Sequence, residues 1–268
     1  MLRRNLALAA SGLLALSCTL ALAGCKGSPS RSSGTKAGAS AVSSVGSLRA
    51  ASDCRRDSDP CGCSERSAVE LLRDCFVDKA FEMVESAGPA CKNPGLLGVK
   101  AEALAVTGKN DLARSTASSL LTSDPKNRFA RRALAIVRLN ERDLPGAAAA
   151  LDELVREDTA DADSLYYSAL VERARDHYHP ARQGFLRVLR LNKRHIDARF
   201  NLATLTAAIG AKAEAQHHLD ALLEITPVGD PRSSLAKTAL AQAGISEQGK
   251  APPNLVMQHE APAPSSNR

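Results

Sequence analysis

The chain has 268 residues, a formal net charge of +6 at pH 7 and an aromatic content of only 3%. The modest positive charge is spread along the chain without interleaved aromatic residues, which argues against a nucleic-acid-binding protein. Two of the basic residues, Arg3 and Arg4, lie in an N-terminal segment that the sequence predicts to be removed.

Residues 1–24 have the pattern of a secretory signal peptide. Arg3 and Arg4 precede an apolar run from Leu6 to Ala23 that is interrupted only by small or weakly polar residues. A single transmembrane anchor is the alternative interpretation, because the run is close to the shortest length that spans a hydrocarbon core.

The apolar run ends in the letters LAGC at residues 22–25, which resemble the lipobox of bacterial lipoproteins. The resemblance implies that Cys25 is acylated and becomes the first residue of the mature chain. Several acyl chains on one cysteine are enough for stable membrane attachment. Because Lys26 and not aspartate follows, the sorting rule of Gram-negative lipoproteins implies the outer membrane, with the chain facing the periplasm.

The next segment, residues 25–51, is rich in Gly, Ser and Ala and predicts a flexible linker, since such a composition cannot bury a core. Residues 245–268 contain several prolines and predict a disordered tail. The sequence therefore places one folded domain between a disordered N-terminal tether and a C-terminal tail.

The folded part contains a repeat with a period of 34 residues. Its four blocks follow one another without a gap: 94-127, 128-161, 162-195 and 196-229. The eighth and twentieth residues of all four blocks are alanine: Ala101, Ala135, Ala169 and Ala203, then Ala113, Ala147, Ala181 and Ala215. Agreement at all of these positions by chance is on the order of one in a million.

Further positions predict two helices in each block. The twenty-fourth and twenty-seventh residues are small or apolar, and together with the twentieth they share one helical face. Gly108 and Gly210 occupy position fifteen, where the chain must turn between helices. Pro125 and Pro227 occupy position thirty-two, where a second helix should stop.

This pattern resembles the tetratricopeptide repeat. The resemblance implies an all-α fold, an α-solenoid in which helix-turn-helix units form a superhelical array. Small residues at positions eight and twenty allow the two helices of a unit to cross closely. The chain departs from the family at position four, usually tryptophan, and at position thirty-two of two blocks, where Thr159 and Lys193 replace proline.

Two shorter segments flank the repeats. Residues 52–93 predict a cysteine-rich, degenerate first repeat, because Ala68 and Ala80 keep the separation of twelve residues with an offset of one. Residues 230–244 predict a capping helix, since Asp230 and Pro231 form a good N-cap and first-turn pair.

Five cysteines are disulfide candidates: Cys54, Cys61, Cys63, Cys75 and Cys91. A zinc site is the alternative to disulfides. Disulfides are favoured because the chain is predicted to be exported and because the sequence contains no Cys-x-x-Cys pair, which is typical of zinc sites. If the degenerate repeat forms, we expect a bridge from Cys61 or Cys63 to Cys91 and a second one from Cys54 to Cys75, with one thiol left over.

No catalytic motif, phosphate-binding loop or cofactor motif is present, so the sequence predicts neither an enzyme nor a cofactor. The histidines predict no metal site, because three or four converging ligands are needed. All six are expected on the surface: His177, His179, His195, His217, His218 and His259.

In the tetratricopeptide family, side chains of the first helix of each repeat line a concave groove. Carried over by position, the resemblance implies that the partner-binding residues are Phe129, Arg132, Ile136, Tyr166, Tyr167, Arg173, Phe200 and Asn201, with Glu102, Leu139 and Thr204 beside them. Aromatic and arginine side chains dominate binding hot spots. We expect one or two of the aromatic residues to pack against neighbouring repeats instead.

These features together predict a membrane-anchored scaffold that binds a protein or peptide partner and no nucleic acid. A role in envelope assembly is expected, either like that of a pilotin or as an accessory of outer-membrane assembly. The alternative is a regulator or accessory subunit of an envelope enzyme, or a small-ligand binder. An extended aromatic strip would favour a polypeptide, whereas a closed polar pocket would favour a small molecule.

Overall fold

The computed structural model describes residues 51–245. The predicted signal peptide, the predicted acylation site Cys25, the predicted linker before residue 51 and the predicted tail from residue 246 lie outside the described residues. Within residues 51–245 no helix is long and apolar enough to cross a membrane.

The described residues form twelve helices and no strand. The helices are α1 (Ala51–Cys54), α2 (Pro60–Arg73), α3 (Val77–Ala87), α4 (Pro94–Val106), α5 (Asn110–Ser123), α6 (Arg128–Asn140), α7 (Leu144–Glu157), α8 (Ala162–Ala174), α9 (Tyr178–Leu191), α10 (Ile196–Ala208), α11 (Lys212–Ile225) and α12 (Pro231–Gln242). Each 34-residue block contains two of them. The prediction of an all-α solenoid is confirmed.

The first helix of every block begins directly after a side chain that caps it. These residues recur at intervals of 34, and each accepts a hydrogen bond from a backbone N–H of the first turn: Asn93, Asn127, Asp161 and His195. Such bonds satisfy N–H groups that have no partner inside the helix. The repeat therefore sets where each helix starts as well as where helices cross.

The repeated alanines lie where the two helices of a block approach each other. All eight are at most 3% exposed. In the third block the approach is especially close, because a Cβ added to Gly184 in α9 would lie 2.7 Å from the Cβ of Ala169 in α8. A larger side chain at either position would push the helices apart.

Every turn between the two helices of a block contains a residue in the left-handed region. These residues occupy position fifteen: Gly108, Arg142, Asp176 and Gly210, with φ between +61° and +81°. Cys75 has φ +61° in the turn between α2 and α3, and it precedes Gly108 by 33 residues. The turn of the N-terminal unit is thus built like the others, one residue out of register.

We expect Gly108→Ala to lower the free energy of unfolding by about 1–2 kcal/mol, because a Cβ is disfavoured in this region. No atom lies within 4 Å of the added Cβ, so the backbone alone would cause the loss. The matched change Arg142→Gly should raise the free energy of unfolding by up to about 1 kcal/mol. Urea unfolding followed by circular dichroism would test both, and an unchanged stability of Gly108→Ala would contradict the argument.

Two disulfides tie the N-terminal unit together. Cys54 bonds to Cys63, with 5.3 Å between the Cα atoms, and Cys61 bonds to Cys91, with 5.4 Å. The second bridge is one of the two alternatives that the sequence left open. The predicted bridge from Cys54 to Cys75 is wrong. Cys75 is buried outside both disulfides, at the opposite end of α2, and a helix of this length spans roughly 20 Å.

The last helix, α12, closes the array through a buried arginine. Asp230 caps α12 and accepts hydrogen bonds from the Nε and Nη2 atoms of Arg232, at 2.9 and 2.7 Å. The Nη1 atom of the same arginine donates to Asp197 in α10 at 2.9 Å. The helix is therefore fastened to the final repeat by charge as well as by apolar packing.

Candidate functional site

A buried ion cluster joins the first three blocks along their first helices. Arg132 in α6 donates two hydrogen bonds to Glu102 in α4, at 2.9 and 2.8 Å. Its Nη1 atom donates to both carboxylate oxygens of Asp161, at 3.2 and 3.0 Å, and Nη2 lies 3.5 Å from Asp163. Arg132 is fully buried, so its charge is balanced by these side chains and not by solvent.

The charges in this cluster stabilise one another only in part, because burial raises the pKa of Glu102 to about 7 although Arg132 acts to lower it. Burial alone would lower the pKa of Arg132, but Glu102, Asp163 and Asp161 raise it overall, so the guanidinium stays charged. Burial would likewise raise the pKa of Asp161, yet Arg132 and hydrogen bonds from Ser164 lower it overall. Asp161 therefore has two roles, since it caps α8 of the third block and also holds Arg132 in α6 of the second block.

A polar network continues from α8 to α10. Arg173 donates a hydrogen bond to the side-chain oxygen of Asn201. The Nδ2 atom of Asn201 donates to the hydroxyl of Tyr166 at 3.2 Å and to the carbonyl oxygen of Asp197 at 2.8 Å. All of these side chains are buried, so the network holds the third and fourth blocks in one arrangement.

The N-terminal unit reaches across this surface. A cavity of about 30 Å³ lies between the turn that joins α2 to α3 and the first helices of three blocks. The turn contributes Leu72, Cys75 and Val77 to the cavity wall. The first helices contribute Glu102 and Val106 from α4, Asp163, Tyr166 and Tyr167 from α8, and His195 and Asp197 at the start of α10. We call this second set the concave floor.

Most of the predicted partner-binding residues are inaccessible to a partner. Six of the eight are less than 9% exposed: Arg132, Ile136, Tyr166, Arg173, Phe200 and Asn201. The expectation that these side chains face a partner is corrected here, because they pack between repeats or pair with one another. Phe129 and Tyr167 remain half-buried.

The two half-buried aromatic residues have different surroundings. Phe129 lies against Gly98 and between the guanidinium groups of Arg128 and Arg132, which are 5.2 and 5.3 Å from its ring centre. Tyr167 packs under the turn of the N-terminal unit and contacts Tyr166 edge to face at 5.2 Å. Of the eight predicted partner-binding residues, Tyr166 and Tyr167 are the two that line the cavity.

Sequence reasoning missed the carboxylates that surround the buried Arg132 and Arg232. Position within the repeat predicts that Glu102 lies in the groove, but it does not predict an ion pair with Arg132. No motif in the sequence indicates a role for Asp161 or Asp163. The recurrence of a capping residue at the end of each block is the available signal for Asp161. No local pattern indicates the contact of residues 72–77 with the concave floor.

The histidines are only partly where the sequence predicts them. His195 and His218 are buried, at 2% and 5% exposure, which corrects the expectation of surface positions for these two. His195 caps α10 through its Nδ1 atom, so its burial serves the helix start. His177, His179 and His217 are exposed, and His259 lies outside the described residues. Within residues 51–245, no group of His, Cys, Asp or Glu side chains is arranged to hold a metal ion.

The pKa of His218 is lowered to about 4, mainly by burial and also by neighbouring His217, while Glu214 opposes the shift. The folded state then binds fewer protons than the unfolded state between about pH 4 and 6.5, so this residue makes stability rise with pH across that window. We expect His218→Gln to remove up to about 3 kcal/mol of this rise. Urea unfolding from pH 4 to 7 would measure it, with the exposed His179→Gln as control. Identical pH dependence in both variants would contradict the assignment.

No protein-family model matches the sequence, and no curated protein sequence matches it. Solved structures do resemble it. TTC0263, a thermophilic tetratricopeptide repeat protein of Thermus thermophilus, is 20% identical, with a TM-score of 0.55 over 68% of this chain and 99% of that one. The chain has the tetratricopeptide repeat fold.

Two further structures are similar at lower scores. YrrB, described as a tetratricopeptide repeat protein with an unusual peptide-binding site, is 16% identical, with a TM-score of 0.43 over 71% of this chain and 99% of that one. MamA from Desulfovibrio magneticus RS-1 is 18% identical, with a TM-score of 0.41 over 62% and 94%. The assignment of the tetratricopeptide repeat fold depends on TTC0263.

Proposed function

We propose that this tetratricopeptide repeat chain is a membrane-tethered scaffold that binds a protein or peptide partner on its concave floor. The observation that carries the proposal is the composition of that floor. Glu102, Asp163, Tyr167 and Asp197 bring carboxylate and aromatic groups from three blocks to one surface, and this surface is covered by a single turn of the chain. Aromatic and charged groups on a concave surface are the usual anchors of a polypeptide ligand.

The size of the cavity favours a polypeptide over a small molecule. Pockets for small ligands measure about 300–1,000 Å³. The space between the turn and the concave floor is about 30 Å³, which is room for one or two water molecules. A partner must therefore bind along the floor and not inside a closed pocket, and we propose no catalytic role for the site.

The location belongs to the same proposal. Acylation of Cys25 would attach the chain to the outer membrane, and residues 26–50 would separate the solenoid from the bilayer. The partner is then an envelope protein, and the role is one in envelope assembly, like that of a pilotin or of an accessory in outer-membrane assembly. The pattern of residues 1–25 and Lys26 supports this location.

The membrane tether can be tested by metabolic labelling with radioactive palmitate in a Gram-negative host. We expect the label on the natural chain and none on Cys25→Ser, and sucrose-gradient fractionation should place the labelled chain in the outer membrane. Cys18→Ser, which changes a cysteine within the predicted signal peptide, is the control and should retain the label. Labelling of Cys25→Ser would refute the lipoprotein assignment.

The binding surface can be tested by photo-crosslinking in cells. A benzophenone amino acid placed at Tyr167 should give an adduct of defined mass, identified by mass spectrometry. The same amino acid at Gln183, exposed on α9 in the same block, is the matched control. Adducts at Gln183 without adducts at Tyr167 would move the binding site to the convex face and overturn the proposal.

A further inference from the structure

The segment from Leu72 to Val77, which we call the lid, covers the concave floor. Cys75 and Val77 are buried at 7% and 4% exposure, and Leu72 is half-buried. The lid lies over residues of α4, α8 and α10, so it spans the first helices of the first, third and fourth blocks. It therefore occupies the place where a partner would have to lie.

The lid belongs to a helix pair that is fastened at one end only. Two disulfides, Cys54–Cys63 and Cys61–Cys91, hold the start of α2. Asn93 adds a hydrogen bond to Glu65 near the same end. The lid is at the opposite end of α2, roughly 20 Å away, and non-covalent contacts hold it over the concave floor.

Those contacts are less favourable than ordinary core packing. A cavity remains beneath the lid, and Cys75 adopts a left-handed backbone that is strained for a residue with a Cβ. Incomplete packing loses dispersion contacts on both sides of the void. Val77 belongs to the apolar cluster of α4, α5 and α6, so the lid rests closed, but opening it breaks fewer contacts than unfolding the whole domain.

The concave floor is rich in carboxylates. Five carboxylates lie in or directly behind the concave floor, and they face the buried Arg132 and Arg232. Arg132 contacts Glu102, Asp161 and Asp163. Arg232 contacts Asp197 and Asp230. The lid adds another carboxylate, Asp74. Burial raises the pKa of Asp74, although Arg194 and Arg73 act to lower it. The charged groups that act on Asp74 are Arg194, Arg73, Glu70 and His195, and the lid, which contains both Arg73 and Asp74, brings no net charge to the acidic floor.

We propose that the lid is displaced by the protein partner, so that the concave floor is closed in the absence of the partner and open in its presence. This inference rests on the function proposed above. The displacing segment carries aliphatic side chains, which replace the contacts of Leu72 and Val77. It also carries lysine or arginine, which complement the excess of carboxylates. The disulfides keep the displaced helix pair attached to the solenoid.

The thiol of Cys75 provides a probe of lid opening in the purified mature chain. Alkylation with iodoacetamide, without reductant, would be followed by mass spectrometry at increasing urea. We expect Cys75 to react at least about tenfold faster than a buried control thiol, with a weaker dependence on urea, because only local opening is needed. The control is Ala203→Cys in a Cys75→Ala background, since Ala203 is fully buried within α10. Equal rates and equal urea dependence would overturn the lid.

A pair of matched variants makes the test specific. Leu72→Ala removes a lid contact and should raise the alkylation rate of Cys75 several-fold. Leu121→Ala removes a half-buried leucine of the same size from α5, outside the lid, and should leave that rate unchanged. An equal effect of both variants would mean that Cys75 reacts through general loosening, and the lid would be rejected.

The same variants separate this inference from the proposed function. Leu72→Ala should also increase the yield of the crosslink at Tyr167 in cells. Fast alkylation of Cys75 without any crosslinked protein would support opening of the lid and refute the proposed scaffold function. Slow alkylation together with a specific crosslink would support the proposed scaffold function and refute opening of the lid.

Discussion

Replacing Arg132 with leucine is expected to lower the free energy of unfolding by about 3–5 kcal/mol. The substitution removes the cation that lies between Glu102 and Asp161 and leaves both carboxylates buried without it. A domain of this kind is stable by about 5–15 kcal/mol, so the loss is a large part of the total. Urea unfolding followed by circular dichroism at 222 nm would measure it.

The neighbouring Arg131 provides the matched control. It forms ion pairs with Glu153 and Glu157, whose side chains are about 60% exposed. Pairs in contact with solvent contribute little, so Arg131→Leu should change stability by less than about 1 kcal/mol. The double variant Arg132→Leu with Glu102→Leu should recover part of the loss, because one stranded carboxylate is removed. Equal losses for Arg131→Leu and Arg132→Leu would contradict the buried ion cluster.

Removing the disulfide between Cys61 and Cys91 is expected to lower the free energy of unfolding by about 3–4 kcal/mol, because the bridge spans 30 residues of sequence and a loop of that size restricts the unfolded chain strongly. The bridge between Cys54 and Cys63 spans only 9 residues, so replacing both of its cysteines with alanine should lower stability by about 2–3 kcal/mol. The order of the two losses follows from loop length.

Unfolding curves of the two double-alanine variants under non-reducing conditions would test this order. The natural chain in reductant should lose more stability than either variant, since both bridges open together. Peptide mapping of the non-reduced chain should show both bridges, with Cys75 in neither of them. A peptide that links Cys75 to any other cysteine would contradict the arrangement of the N-terminal unit.

The sequence is sufficient to predict the solenoid, because its determinants are local and periodic. Alanines at two positions of every block indicate close helix crossings, and glycine at position fifteen indicates the turn between the helices. The same turn forms at Arg142 and Asp176, where no glycine marks it. Tertiary packing there outweighs the preference of single residues, and the period identifies the turn where composition does not.

The accessibility of the groove could not be predicted in the same way. Tyr166 and Asn201 occupy positions that usually face a ligand, and their burial depends on contacts across 35 residues of sequence. The cover over this surface comes from the turn at Cys75, which is still farther away along the chain. Contacts between distant segments leave no periodic signal, so position within a repeat predicts orientation but not exposure.

The ion-pair partners of Arg132 could not be predicted from position within the repeat either. Repeat position places Arg132 correctly on the inner side of α6, but its partners lie 30 and 29 residues away, in the preceding block and at the start of the next first helix. Such separations are close to the period of the array, and equivalent positions in adjacent blocks are neighbours in a solenoid. A search for opposite charges near one period apart would have found Glu102 and Asp161.

The capping residues give every block the same starting point, which suggests that blocks could be lost or duplicated freely during evolution. Excision of residues 128–161 would indeed join Asn127 to Ala162 and keep a cap before the next helix. It would also remove Arg132 and Asp161, while Glu102 would stay buried without a cation. The blocks therefore share their boundaries but differ in their buried contacts, and loss of the second block would leave a buried carboxylate without its cation.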